Sequence, residues 1–169
     1  GGLSAAEAVE AVQVGLVDGM ESASLSGTTI IARQILCLMR HLDVPEDVVD
    51  LAVNHAPGVV GVDVAGPEDG FPLAPFTNAL TRVQAAGIHL TVHAGEAAGP
   101  ESILDALNHG AERLGHGVRI IEDRDESGWG PTAQQVLSNQ VPLEVCPTSN
   151  TQTGICRKVA EHPLSTLWS

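Results

Sequence analysis

An α/β fold, read as part of a (β/α)8 TIM barrel, is predicted by three features of the sequence. Short apolar runs of β type alternate with helical patterns from end to end, and the runs begin roughly every 25 to 30 residues, the pitch of a strand–helix unit in a parallel α/β protein. Residues able to do chemistry recur at the carboxyl ends of those runs, the face where the loops of a barrel assemble a site. An open doubly wound sheet is the alternative architecture. A whole barrel takes about 250 residues, so the 169 present hold about five of the eight units. No linker or composition break divides them, and 1–169 is read as one partial domain lacking the first strands and the last.

Ser4 and Glu7 have capping-box spacing, and Ala5, Val9, Val12 and Leu16 then mark one face of a first helix. A strand follows over 34–39. Pro45, Glu46 and Asp47 open a helix carrying Val48, Leu51 and Ala52 that Pro57 ends. Over 59–65, Val60, Val62 and Val64 share one face while Gly61, Asp63 and Ala65 share the other, as a strand between outer helices and a crowded interior requires. A helix over 73–86 turns Phe76, Leu80 and Val83 inward and stops at Gly87. Then come a strand over 88–93, a helix over 100–108, a strand over 112–116, a helix over 132–139 and a strand over 141–146.

Hydrophobic residues at 43% and charged residues at 17% exclude a disordered polymer and a coiled coil. The apolar stretch 29–39 is cut by Arg33 and Gln34, so nothing reads as a membrane span. Gly1 rather than Met begins the chain, with no basic region before an apolar core, which reads as a piece of a longer protein. Twenty-one acidic against eight basic side chains give a net charge of −13, which opposes nucleic acid and anionic lipid as partners. Cys37, Cys146 and Cys156 lack metal-ligand spacing, and the first two fall in predicted strands; buried free thiols and a reducing cytoplasm are the expectation.

Strand alternation sends Leu90 and Val92 to the outer helices and Thr91 and His93 to the barrel axis. Gly95 then allows a sharp turn that folds Glu96 back over the same pocket, so an imidazole and a carboxylate are delivered together. Taken alone, His93 also reads as a hydrogen-bonded core histidine. His116 ends the next run between Gly115 and Gly117, and glycines on both sides imply close approach of another group. His41, His55, His89, His109 and His162 lack such context and read as solvent or packing residues. Asp63 is either a pocket carboxylate or a strand-end group bonded to backbone.

Four segments in order, Val60 to Gly66, Val92 to Glu96, Leu114 to Gly117 and Leu143 to Asn150, resemble the adenosine deaminase family in its bacterial style, and the similarity covers essentially the entire chain. The resemblance implies a zinc-dependent (β/α)8 barrel of the amidohydrolase superfamily that converts adenosine or deoxyadenosine plus water to the inosine product and ammonia. It further implies that His93 is a zinc (Zn2+) ligand, that Glu96 protonates the purine ring, and that His116 orients and deprotonates the attacking water. Gly66 would offer its N–H to a ring nitrogen, and Ser149 would lie beside the site, although Ser-Asn in a loop is also ordinary turn chemistry.

The family takes its remaining zinc ligands from a His-x-His and a later Asp outside the matched segments, and this sequence has no His-x-His. One imidazole cannot hold catalytic zinc, which ordinarily has three protein ligands and an open position, so the chain alone is expected to be inactive. The zinc deaminases that use His-x-Glu with Pro-Cys-x-x-Cys are excluded, because here the order is His-x-x-Glu and Cys146-Pro147. Relatives acting on adenine, modified AMP or aminofutalosine would share the zinc logic, and a non-catalytic nucleoside-binding or scaffold module is the rival from another class.

Overall fold

The computed structural model describes residues 2–168. Five parallel strands form one sheet in the order β1 (Gln34–Met39), β2 (Val59–Ala65), β3 (His89–Ala94), β4 (Arg113–His116) and β7 (Leu143–Glu144). A short antiparallel pair, β5 (Arg124–Asp125) and β6 (Gly128–Trp129), lies in the connection that follows β4. The strands of the large sheet run in chain order, each joined to the next through a helix on the outer face: α2 (Pro45–Asn54), α3 (Thr77–Ala85), α4 (Pro100–Asn108) and α5 (Pro131–Ser138). This is the repeat of a partial (β/α)8 barrel, and a doubly wound sheet would instead have reversed its strand order part-way.

The core lies between the strands and these helices. Val62, Val64, Leu90, Val92 and Leu114 point outward from the sheet and meet Val49, Ala52, Leu80, Val83, Ile103 and Ala106, all essentially without solvent contact. Phe76, Leu80 and Val83 are buried as the helical period requires, with Phe76 ending a 3-10 turn, Ala74–Phe76, that leads into α3. Register follows the same alternation: Val64 pairs with Val92, and His93 with Gly115.

Three expectations are corrected. In α1 (Ala5–Leu25) the capping box forms, Ser4 N–H donating to Glu7 and the Glu7 N–H to Ser4 Oγ. Its packed stripe, however, is Val9 with half-buried Gln13 and Leu16, while Val12 is 47% exposed. Gln13 turns inward because its amide donates to the His55 carbonyl at 3.2 Å, which rotates Val12 out. The last strand shrinks to Leu143–Glu144, since Pro142 brings no N–H and β7 has a neighbour on one side only.

The thiols are not buried either: Cys37 and Cys146 are exposed and Cys156 is half-buried. Cys37 lies on the inward face of β1, where Ile35, Cys37, Asp63, Thr91 and Glu144 line an open cavity of about 200 Å³. Cys146 stands beyond β7, at the start of α6 (Pro147–Gln152).

Candidate active site

Chemistry-bearing side chains gather at the carboxyl ends of β2, β3 and β4. Asp63 on β2 and His93 on β3 both face the open interior, and Asp63 Oδ1 is 3.0 Å from His93 Nδ1. The hydrogen bond raises the His93 pKa above its ordinary value, burial opposing. It also leaves Nε2 directed away from its partner, the arrangement in which a carboxylate orients a metal-binding imidazole. The side chains remain 34% and 23% exposed, open to a ligand.

Close approach explains Gly115. A Cβ there would lie 2.8 Å from the His93 ring, so only glycine lets the imidazole rest on the β4 backbone. His116 follows with φ of 65°, a left-handed conformation that is uncommon outside glycine and that swings its ring under His93. The two rings meet edge to face with centroids 5.2 Å apart. Glu96 closes the group: its Oε2 is 3.3 Å from His116 Nε2. Burial lowers the His116 pKa, with the Glu96 charge opposing and His93 adding to the fall. Two neighbouring imidazoles are thereby driven in opposite directions.

Gly66, at the end of β2, has φ of 95°, and a Cβ would press on the His41 ring at 3.1 Å and the Arg40 backbone nitrogen at 3.4 Å. Its backbone thus stands at the strand ends. Of the residues singled out from sequence, Asp63, His93, Glu96 and His116 are brought together. Ser149 is exposed on α6, and the buried polar side chain there is its neighbour Asn150.

Sequence reasoning missed four supporting residues. Glu68 is buried, and its carboxylate accepts the N–H groups of Gly95, Glu96 and Ala97 at 2.5, 3.0 and 2.7 Å, clamping the turn that carries Glu96. Arg40, also buried, donates to the His93 carbonyl at 2.7 Å and to Phe71 O, holding the tip of β3 from the other side. Asn150, with no solvent exposure, donates to Glu96 Oε1 at 2.8 Å and approaches His116 Nδ1 at 3.2 Å. His162 meets Asn150 Oδ1 at 3.0 Å. Glu68 and Arg40 gave no signal beyond ordinary charged residues near strand ends. Asn150 closes the segment Leu143 to Asn150, and its placement one position after Ser149 on a short helix decides which of the two turns inward.

Two carboxylates and two imidazoles thus gather at the carboxyl ends of adjacent strands, the face on which enzymes of the (β/α) barrel class build their sites. The chain belongs to the adenosine deaminase family, whose model, described as Adenosine deaminase, matches residues 1–169. The adenosine deaminase of Mycolicibacterium gilvum (strain PYR-GCK) is 41% identical over 174 residues, covering 99% of this chain and 48% of that protein.

Solved structures agree on the fold. The adenine deaminase of Arthrobacter aurescens superposes with a TM-score of 0.76 at 28% identity, over 91% of this chain and 46% of that one. The N6-mAMP deaminase of Arabidopsis gives 0.78 at 26% identity, over 99% and 49%. An amidohydrolase from Burkholderia ambifaria, described with bound Zn, gives 0.71 at 25% identity, over 90% and 42%. The chain spans about half the length of these relatives.

Zinc fits His93 as one donor, because Asp63 holds the ring by Nδ1 and leaves Nε2 available. Among the described residues no three His, Cys, Asp or Glu side chains converge as a metal site. Among the described residues His93 is therefore a single candidate donor.

Proposed function

We propose that this chain forms the proton-transfer half of a zinc-dependent deaminase that converts adenosine or deoxyadenosine and water to the inosine product and ammonia. The observation that carries the reading is the Glu96–His116 pair beside a carboxylate-oriented His93, in a member of this family. His93, with donors from the rest of the polypeptide, would hold zinc, which when bound supplies Lewis acidity to the attacking water.

The residues of this chain do the remainder. Glu96 Oε1 is occupied by two donors, Asn150 Nδ2 at 2.8 Å and Thr153 Oγ1 at 2.9 Å, so Oε2 is the oxygen left to carry a proton to the purine ring nitrogen. Protonation there makes the adjacent carbon electrophilic; of the two protons of the attacking water, one leaves with the amino group as ammonia and the other returns to Glu96 as the carbonyl forms. His116 faces the same oxygen and orients the water. Gly66, at the mouth of β2, offers its backbone to the purine, and Asp63 acts through His93. Ser149, exposed on α6, is given only a supporting place beside them.

Related purines are the specificity question, since similar proteins act on adenine and on N6-mAMP by their names. A cytoplasmic setting accompanies the reading and is supported by three free cysteines; the strong net negative charge disfavours nucleic acid and anionic lipid as partners.

The test is ammonia release from adenosine, deoxyadenosine, adenine and a modified AMP, assayed side by side with added zinc. A longer polypeptide containing this chain and the other zinc ligands should deaminate a nucleoside, and Glu96→Gln should abolish most of that turnover while zinc content is retained. The chain by itself should release none. Full turnover by Glu96→Gln would remove the proposed acid, and turnover by the chain alone would overturn the shared zinc site. Nucleoside binding without deamination in the longer polypeptide would favour the scaffold reading.

A further inference from the structure

Its sequence context reads His162 as a solvent or packing histidine, yet it is buried at 8% exposure and its ring ends a hydrogen-bonded chain that leads to Glu96 and His116. The direction of every bond in that chain is fixed by groups that can act in one sense only. The Leu164 N–H, a donor only, lies 3.1 Å from His162 Nδ1, so Nδ1 must accept and carries no proton. A neutral ring then has its proton on Nε2, which donates to Asn150 Oδ1 at 3.0 Å. With Oδ1 so engaged, the Asn150 amide must present its NH2 to the other side, where Glu96 Oε1, an acceptor, receives one hydrogen at 2.8 Å. The second hydrogen faces His116 Nδ1 at 3.2 Å. The two ends of the chain, a backbone N–H and a carboxylate, demand the same amide orientation independently.

We infer that His162, acting through Asn150, holds His116 in the single tautomer whose Nδ1 is bare and whose proton sits on Nε2, on the pocket side, 3.3 Å from Glu96 Oε2. Both are positioning residues: Asn150 touches the two reacting side chains, and His162 acts only through Asn150. The Leu164 N–H needs the Nδ1 lone pair of His162, so the relay stands on the neutral ring, and burial lowers the His162 pKa in the same sense. The consequence for chemistry rests on the proposed deaminase reading. With Nε2–H toward the pocket, His116 meets the attacking oxygen as a hydrogen-bond donor and orients it, rather than meeting it as a bare base. The Asn150 amide, with neither degree of freedom left, also keeps Glu96 turned so that Oε2 faces the same point.

Nitrogen NMR of histidine-labelled chain tests this without any turnover, so its failure is separate from a failure of the deaminase reading. An unprotonated ring nitrogen resonates far downfield of a protonated one, and the expected pattern near pH 7.5 is downfield Nδ1 and upfield Nε2 at both His116 and His162. His162→Phe, which touches neither Glu96 nor His116, should free the amide to turn and draw the two His116 signals toward each other. His162→Gln, whose side-chain NH2 can replace the lost donor, should restore their separation. A protonated Nδ1 at His116 in the unsubstituted chain overturns the inference even if the Phe variant does not fold. So does a folded His162→Phe chain with the His116 pattern unchanged.

Discussion

Glu68 shows how much a single side chain can hold at this site. Three consecutive N–H groups of the turn after β3 end on its two oxygens, and none of them has a helix or strand partner to fall back on. Glu68→Ala should lower stability by about 1–3 kcal/mol, the cost of leaving buried donors unpaired, read as a lower urea midpoint. An unchanged midpoint would mean that water replaces the carboxylate. His162 sets a pH dependence. Burial lowers its pKa from the ordinary 6.5, and the Leu164 N–H needs its Nδ1 lone pair. The unfolded chain therefore takes up a proton before the folded one, so this contribution is complete above about pH 6.5 and declines as pH falls toward the folded pKa. Unfolding free energies measured across that window should fall more steeply for the unsubstituted chain than for His162→Gln; parallel curves would show that the ring does not report its burial.

Elements in this molecule are frequently finished by residues from elsewhere. α5 begins at Pro131 after Gly130, which has no side chain to cap it, and the Ala133 N–H is met by Asp123 Oδ2 at 2.8 Å from the preceding loop. Asp123→Ala should cost about 1 kcal/mol, the usual worth of an N-cap, with helical content lost on heating before the main transition; a coincident transition of unchanged midpoint would assign the cap to solvent. The Leu73 N–H ends on Asp105 of α4 in the same manner, at 3.0 Å. Helix and strand interiors were legible because they rest on periodicity: α4 spans 100–108 as the pattern requires, and Leu80 and Val83 face the core. Ends and faces depending on a neighbour were less so. Val12 was misread because the Gln13 amide finds the His55 carbonyl, a partner 42 positions away that no local pattern reveals.

Among the described residues the sheet has two outer edges, β1 and β7, and an open cavity on its inner face. Ile35, half-exposed on edge strand β1, and the exposed Cys37 beside it offer both backbone and apolar surface to another chain. A net charge of −13 opposes such contact by repulsion that salt screens. Light scattering under reducing conditions should therefore show association that grows with protein concentration and with ionic strength. A monodisperse chain at high salt would show that the edges are already protected. A groove of about 590 Å³ lies beside α5 and is lined by residues that include Trp129, Val136, Leu143 and Trp168 and no histidine.

By itself the sequence determined the order of elements, the outward-facing core and the delivery of His93, Glu96 and His116 to one end of the sheet. Those properties follow from alternation and helical period, which act through nearest neighbours along the chain. Tertiary structure decided that Asn150 rather than Ser149 turns inward, that Glu68 and Arg40 brace the tip of β3, and that a histidine from the far end of the chain completes the relay to His116. Each of these depends on hydrogen-bond partners between 12 and 54 residues apart, and a directional bond across such a span is specified only once the backbone has brought both groups within about 3 Å.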